Sequence, residues 1–242
     1  MFGIQCAVVC ITARTVTVNE LISVSVMVVL PRHFTLERLQ DPLKVKKPSK
    51  IFVGSMADLF GDWLWLVSKM PGTITSIFFV VEKILQIVDQ CPQHTFIFLT
   101  KNPKGMQRLN FPDNCWCGTS VENQEKADAR IPELLRVKCK TLFVSYEPAL
   151  GPVNFQHSLN LCVNTACMYR GKAFCKVSCE YYPQRNLNWL IIGAQTGPGA
   201  VRPNQDWISS AIQQARNANV RVFVKDNVMW PEAIREWPGV SR

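Results

Sequence analysis

Six short runs, at residues 51–54, 95–100, 115–120, 141–145, 189–193 and 221–225, read as strands: five are rich in Val, Ile, Phe and Leu at consecutive positions rather than alternating ones, and 115–120 opens on Cys-Trp-Cys instead. A strand with one wet face alternates, whereas a strand apolar on both faces must be covered on both. The runs therefore predict buried strands of a parallel sheet. Helical stripes lie between several of them: Ile77, Val80, Val81, Ile84, Leu85 and Val88 after the first run, Ile131, Leu134 and Leu135 after the third, and Trp207, Ile208, Ala211, Ile212 and Ala215 before the sixth. Strand and helix in alternation predict an α/β fold of right-handed βαβ units. A barrel, a partial barrel and an open doubly wound sheet all satisfy this pattern.

A chain of 242 residues fits one or two domains. Two regions break the strand–helix alternation: a divergent N-terminal segment at residues 1–31 and a cysteine- and aromatic-bearing insertion at residues 154–187. The remainder of 32–242 reads as one domain. With 48% hydrophobic and 19% charged residues, the composition excludes wholesale disorder and low complexity. The formal net charge of +9 permits an anionic partner such as a nucleotide, nucleic acid or phosphorylated substrate. The densest basic run, Lys44, Lys46, Lys47 and Lys50, reads equally as a solvated surface. Residues 21–30 are apolar, but ten residues are too few to cross a bilayer, so no membrane partner is expected. The opening residues lack the basic region of an export signal, and the ten cysteines then predict a reducing, cytoplasmic setting.

In parallel α/β folds the chemistry lies beyond the carboxyl ends of the strands. Those positions hold Ser55, Met56 and Asp58; Thr100, Lys101 and Asn102; Ser120, Glu122 and Asn123; Tyr146 and Glu147; Gln195, Thr196 and Gly197; Lys225 and Asp226. Turn chemistry and helix capping account for about half of such a set. Its charged members are the stronger ligand candidates, although a ring of opposite charges can also pair with itself. Pro148 biases Glu147 toward extended backbone, which would aim its carboxylate past the strand end.

Two groups of cysteines have spacings with chemical meaning. Cys162, Cys167, Cys175 and Cys179 stand as C-x4-C-x7-C-x3-C in the insertion, where four thiolates could hold zinc or an auxiliary cluster; unligated thiols are the alternative. Cys6 and Cys10 form a C-x3-C pair, with Ala13 where a third cysteine would complete C-x3-C-x2-C. Three thiolates at that spacing can hold three irons of a four-iron cluster; two in an apolar stretch also read as buried hydrophobes. The turn Gly193-Ala194-Gln195-Thr196-Gly197-Pro198-Gly199-Ala200 follows a strand and brings backbone within reach of a phosphate, ribose or carboxylate, or is an ordinary strand-to-helix turn. His33, His94 and His157 are scattered and give a hydrolytic triad no support.

Six segments taken in order carry a resemblance: Arg38-Leu39-Gln40-Asp41-Pro42-Leu43 with the run from Lys47 to Phe60, Phe98-Leu99-Thr100-Lys101-Asn102-Pro103, Gly118-Thr119-Ser120-Val121-Glu122-Asn123-Gln124, the run from Val144 to Pro152, and the run from Ile192 to Ala200. Together they resemble the phage-associated three-cysteine-motif family of radical S-adenosylmethionine-like proteins, over residues 34–225. The resemblance implies a partial (β/α) barrel of about six parallel strands, an iron–sulfur cluster near the N-terminus, and S-adenosylmethionine across the strand ends. Cys6 and Cys10 match the first two cluster ligands; Ser55, Asp58, Thr100, Lys101, Ser120, Glu122, Glu147 and Gly193 match the strand-end motifs.

Two classes of function follow. In the first, a reduced four-iron cluster fed by an electron donor cleaves S-adenosylmethionine, and the deoxyadenosyl radical abstracts hydrogen from substrate. Cys6 and Cys10 would hold the cluster; Ser55, Thr100, Ser120, Glu147, Gly193, Gln195 and Gly197 would contact the cofactor; Asp58, Lys101, Glu122 and Lys225 would face substrate. In the second, the missing third cysteine marks a non-catalytic protein that keeps the barrel and binds a nucleotide or nucleic acid. Zinc on the insertion is compatible with either.

Overall fold

The computed structural model describes residues 21–22, 28–29, 33–34, 39–54, 58–61, 77–155 and 187–239, with side chains described from residue 39 onward except for 77–79. The chain divides into two compact units, residues 1–117 with 138–140, and residues 118–137 with 141–242.

In the first unit the strands β1 (Leu21–Ile22), β4 (Lys50–Val53) and β5 (Thr95–Thr100) lie side by side, and β2 (Val28–Val29) pairs antiparallel with β3 (His33–Phe34). β1 runs parallel to β4 with Leu21 opposite Lys50, and β4 runs parallel to β5 with Lys50 opposite Thr95 and Val53 opposite Phe98. The strand next to β5 is β6 (Cys115–Val121), whose first three residues belong to this unit and whose other four belong to the second. Between β4 and β5 comes the helix α2 (Ile77–Gln90), preceded in the chain by the single turn α1 (Asp41–Lys44). The α2 stripe read from the sequence is the buried one: Val81, Ile84 and Val88 lie inside. Its end is fixed by the Asn114 amide, which donates to the carbonyls of Cys91 and His94, both at 3.1 Å.

The core of this unit is aromatic. Phe60, Phe98 and Phe111 meet edge to face with centroid separations of 5.3–6.4 Å, a geometry worth about 0.5–1.5 kcal/mol per pair beyond the area buried. His94 is buried and serves as a staple: its Nδ1 accepts from Ser49 N–H at 3.2 Å, which leaves Nε2–H to donate to the Val45 and Pro42 carbonyls at 3.0 and 3.2 Å.

In the second unit the order is the end of β6, then β7 (Thr141–Tyr146), β8 (Trp189–Ile192) and β9 (Arg221–Val224). β7, β8 and β9 pair in parallel, with Tyr146 opposite Ile192 and Ile192 opposite Val224, so their carboxyl ends finish level. Helix α3 (Gln124–Leu134) starts at Asn123, whose side chain accepts from Lys126 N–H, and α4 (Gln205–Asn217) starts at Asn204, whose side chain accepts from Asp206 N–H. Each cap satisfies a donor that the first turn leaves without a partner. Ile131 and Leu134 of α3, with Ile208, Ala211, Ile212 and Ala215 of α4, are buried as their periodicity requires.

Gly118 of β6 faces the ring of Phe143 so closely that a Cβ there would overlap it. The outer edge of β9 is covered by residues 234–236: Val224 N–H donates to Ile234 O at 3.0 Å, and Glu236 N–H donates to Val222 O at 2.9 Å. Trp237 packs on Trp189 and Phe223 at 4.9 and 5.3 Å, and the Arg235 guanidinium lies 4.8 Å over the Phe223 ring.

The α/β class and the parallel strands are thus as the sequence predicts. Residues 1–20, which include Cys6 and Cys10, and residues 156–186, which include Cys162, Cys167, Cys175 and Cys179, lie outside the described residues, as does Ser55. Among the described residues no helix is long and apolar enough to cross a membrane.

Candidate functional site

Both units place polar side chains just beyond the carboxyl ends of their strands. In the first unit Asp58, a few residues past β4, is tied to the end of β5. One carboxylate oxygen accepts from the Thr100 hydroxyl at 2.6 Å and from Phe60 N–H at 3.0 Å, and the other accepts from Lys101 N–H at 2.6 Å. Thr100 Oγ1 in turn accepts from Asn102 N–H at 2.8 Å, and the Asn102 amide donates to Phe60 O at 2.7 Å. Thr100 is buried, Asp58 and Asn102 are half-buried, and the Lys101 side chain is exposed. A carboxylate receiving two backbone N–H bonds and a hydroxyl is held firmly in one orientation. Asp58 thereby fixes the loop after β4 against the loop after β5.

In the second unit Glu122, just past β6, pairs with Arg130 at 2.9 Å, with side chains only 13% and 17% exposed. Arg130 also donates to the carbonyl of buried Ser120 at 2.8 Å, so one guanidinium joins the strand end to α3. Arg130 was not among the candidates read from the sequence. Its signal was available, because it lies two helical turns beyond the capping Asn123 and so returns to the same side of α3.

The ends of β7, β8 and β9 carry the second cluster. Glu147 follows β7 and Lys225 follows β9; the Lys225 ammonium donates to the Glu147 carboxylate at 2.6 Å. Their side chains are 23% and 43% exposed, so the pair is reachable from water on one side. The Ser145 hydroxyl stands 3.5 Å from the same carboxylate oxygen. Gly193, which follows β8 between them, makes room: a Cβ there would sit 2.5 Å from Glu147 Cδ and Oε1. A residue with any side chain would push the carboxylate off the strand end.

The turn beyond Gly193 is braced by Asn227, whose amide oxygen accepts from Ala194 N–H at 3.1 Å while its amide nitrogen donates to Ala194 O at 3.0 Å. Asn227 too escaped the sequence reading, since an asparagine after a strand is ordinary turn chemistry. Farther out, Gln195 is exposed and its side-chain oxygen accepts from Val201 N–H at 3.3 Å, while Gly197 has φ 101°. The Tyr146 hydroxyl donates to Gly151 O, and burial pushes its pKa up to about 12.

The described cysteines are of another kind. Cys91, Cys115, Cys117 and Cys139 are all buried, and the Cys139 thiol donates to Cys115 O at 3.2 Å. Burial pushes the Cys117 thiol well above its ordinary value, with the neighbouring Cys139 and Cys115 adding to the effect; Cys115 is raised for the same first reason. Such thiols resist forming the thiolate that ligates metal. Among the described residues no group of three His, Cys, Asp or Glu side chains is placed to hold a metal ion.

The fold and these residues define the class: an α/β protein of parallel strands whose polar side chains gather at the strand ends, where such proteins bind their ligands. Residues 5–236 match the model of the family described as Protein of unknown function (DUF5131), and the chain belongs to that family. No curated protein and no solved structure matched the chain.

Proposed function

We propose that the chain is a radical S-adenosylmethionine-like protein that binds S-adenosylmethionine at the strand ends of its second unit. The observation that carries the reading is the half-exposed Glu147–Lys225 pair at 2.6 Å, set beside a glycine that leaves it room. The methionyl end of the ligand carries an ammonium and a carboxylate. Glu147 is matched to the first and Lys225 to the second, so the ligand can replace one internal ion pair by two charge-assisted contacts. The turn at 193–197, with Gln195 and Gly197, offers backbone to the rest of the molecule.

In this reading Asp58 and Glu122, whose carboxylates are already engaged, are positioning residues, each within its own unit, while Lys225 faces the ligand. A catalytic form requires a four-iron cluster on Cys6 and Cys10 with a third ligand and an electron donor. The described thiols do not fit as that third ligand: Cys117 and its neighbours are buried and held protonated. Ala13, standing where a third cysteine would complete the spacing, favours as a second reading a barrel protein that keeps ligand recognition without radical chemistry.

Calorimetry with S-adenosylmethionine, on the wild type and on Glu147→Gln and Lys225→Gln, tests the binding. Weakening by about tenfold or more in each variant is expected, from the loss of a charge-assisted hydrogen bond of about 1.5–3 kcal/mol. Absence of binding, or unchanged affinity in both variants, would overturn the reading. Anaerobic reconstitution with iron counting then separates the two forms: bound iron with deoxyadenosine formed on reduction supports the enzyme, and ligand binding with neither supports the second reading.

A further inference from the structure

We propose that Cys139 and Cys117 form a peroxide-sensitive dithiol, in which hydrogen peroxide oxidises Cys139 and Cys117 then closes an intrachain disulfide with it. Both residues lie in the first unit, and the proposal is independent of the S-adenosylmethionine reading. Cys115 and Cys117 stand two residues apart on β6, and a strand sends such residues to the same face. Cys139 is brought beside them by a segment fixed to the chain just before β6. Phe111 N–H donates to Lys138 O at 3.1 Å, Asn110 and Lys138 form a parallel bridge, and Lys140 pairs with Asp113 at 3.1 Å.

The hydrogen bonds among the three residues set their roles. A thiol carries one hydrogen, and that of Cys139 is directed to Cys115 O at 3.2 Å. The Cys117 and Cys139 thiols are also hydrogen-bonded to each other. Because the hydrogen of Cys139 is engaged, Cys117 is the donor in that bond and the Cys139 sulfur the acceptor. A hydrogen bond received at sulfur stabilises it when its proton leaves. Cys115 and Cys117 are fully buried, whereas Cys139 is 7% exposed and lies between the exposed Lys138 and Lys140. Cys139 is thus the sulfur that a molecule as small as hydrogen peroxide reaches first, with Cys117 directly behind it. Cys115 meets Cys139 through its backbone carbonyl, which cannot resolve an oxidised sulfur.

The chemistry balances with peroxide as the oxidant. The Cys139 sulfur attacks one peroxide oxygen, the O–O bond breaks, and the displaced hydroxide takes the thiol proton, leaving a sulfenic acid on Cys139 and one water. The Cys117 sulfur then attacks the Cys139 sulfur and the S–OH bond breaks. The Cys117 proton, already directed at that sulfur, leaves with the hydroxyl as a second water. Two thiols lose two hydrogens and two electrons, and one peroxide is reduced to two waters. The product ties the middle of β6 to the segment that precedes β7.

The test is peptide mapping of the full chain, reduced, freed of reductant and exposed to hydrogen peroxide, with remaining thiols blocked by N-ethylmaleimide before digestion without reductant. A peptide pair joining Cys117 to Cys139, lighter by two hydrogens and separated again by dithiothreitol, is expected in most chains. Cys91, fully buried, serves as the internal reference for unfolding and is expected to oxidise at least about tenfold more slowly. Cys117→Ala removes the resolving thiol and is expected to leave a sulfenic acid on Cys139 that dimedone traps. Cys115→Ala is expected to form the 117–139 link as the wild type does. Should either variant fail to melt like the wild type, the wild-type map decides. The proposal falls if the folded wild type yields no 117–139 link, if Cys115 is found bonded to Cys139 in its place, or if Cys91 is oxidised at the same rate as Cys139.

Discussion

Replacing Gly193 by alanine separates stability from recognition. The added methyl would stand 2.5 Å from both Cδ and Oε1 of Glu147 and 2.8 Å from its Cγ, so something must move. What it meets is the end of a flexible side chain, 23% exposed, and the carboxylate can swing outward without disturbing β8. The structural loss is then the Glu147–Lys225 pair, with Lys225 43% exposed. Partly solvated pairs are worth about 0–1 kcal/mol, which in a chain of this size lowers Tm by at most about 2–4 °C. Ligand recognition suffers more, because the carboxylate no longer stands beside the lysine. Affinity for S-adenosylmethionine is expected to fall about tenfold or more, the worth of one charge-assisted hydrogen bond. A thermal melt and a calorimetric titration on the same preparation measure both. A variant destabilised by more than about 3 kcal/mol would refute the supposed freedom of Glu147, and one that binds like the wild type would refute its role in recognition.

The same substitution at Gly118 is expected to act the other way, since the methyl overlaps the ring of fully buried Phe143, which packs on Trp189 at 5.6 Å and has nowhere to go; overpacking of about 1–3 kcal/mol should appear in urea unfolding with ligand affinity unchanged once folded. Tyr146 is held protonated to about pH 12 when folded, against an ordinary value of 10.0, so stability is fully present below pH 10 and is lost as pH rises toward 12. The urea midpoint should drop across that window, by up to about 1.4 kcal/mol per pH unit, and Tyr146→Phe should remove that part of the slope. Cys115 and Cys117, buried and held as thiols, should resist iodoacetamide in the native protein and label only at the rate of unfolding; peptide mapping that finds them modified early would show that the core opens locally. Asn227→Ala should destabilise by about 1–3 kcal/mol, because it strips both partners from the backbone of buried Ala194.

The runs read as strands correspond to β4 through β9 within a residue or two at each end, and the helical stripes correspond to α2, α3 and α4. That much is legible because burial on both faces leaves a continuous apolar run and a covered helix leaves a periodic one. β1 was not legible: Leu21–Ile22 pairs with the start of β4 from within a β-branched stretch that offers no boundary. The strand-end candidates were legible as positions but not as partnerships. Thr100 and Asp58 are 42 residues apart, and Lys225 and Glu147 are 78 apart; nothing local in the chain signals that they meet. Side-chain bonds across such separations follow from strand order and register, which the sequence pattern left open among several architectures.

The segment 234–236 occupies the flank of β9 with two main-chain bonds, and Glu236 adds a third by accepting from Val222 N–H through its carboxylate at 3.0 Å. A foreign strand seeking that flank must therefore displace a competitor tethered a few residues away, at an effective concentration of about millimolar. Chains of this kind are thus discouraged from growing into ribbons along this side.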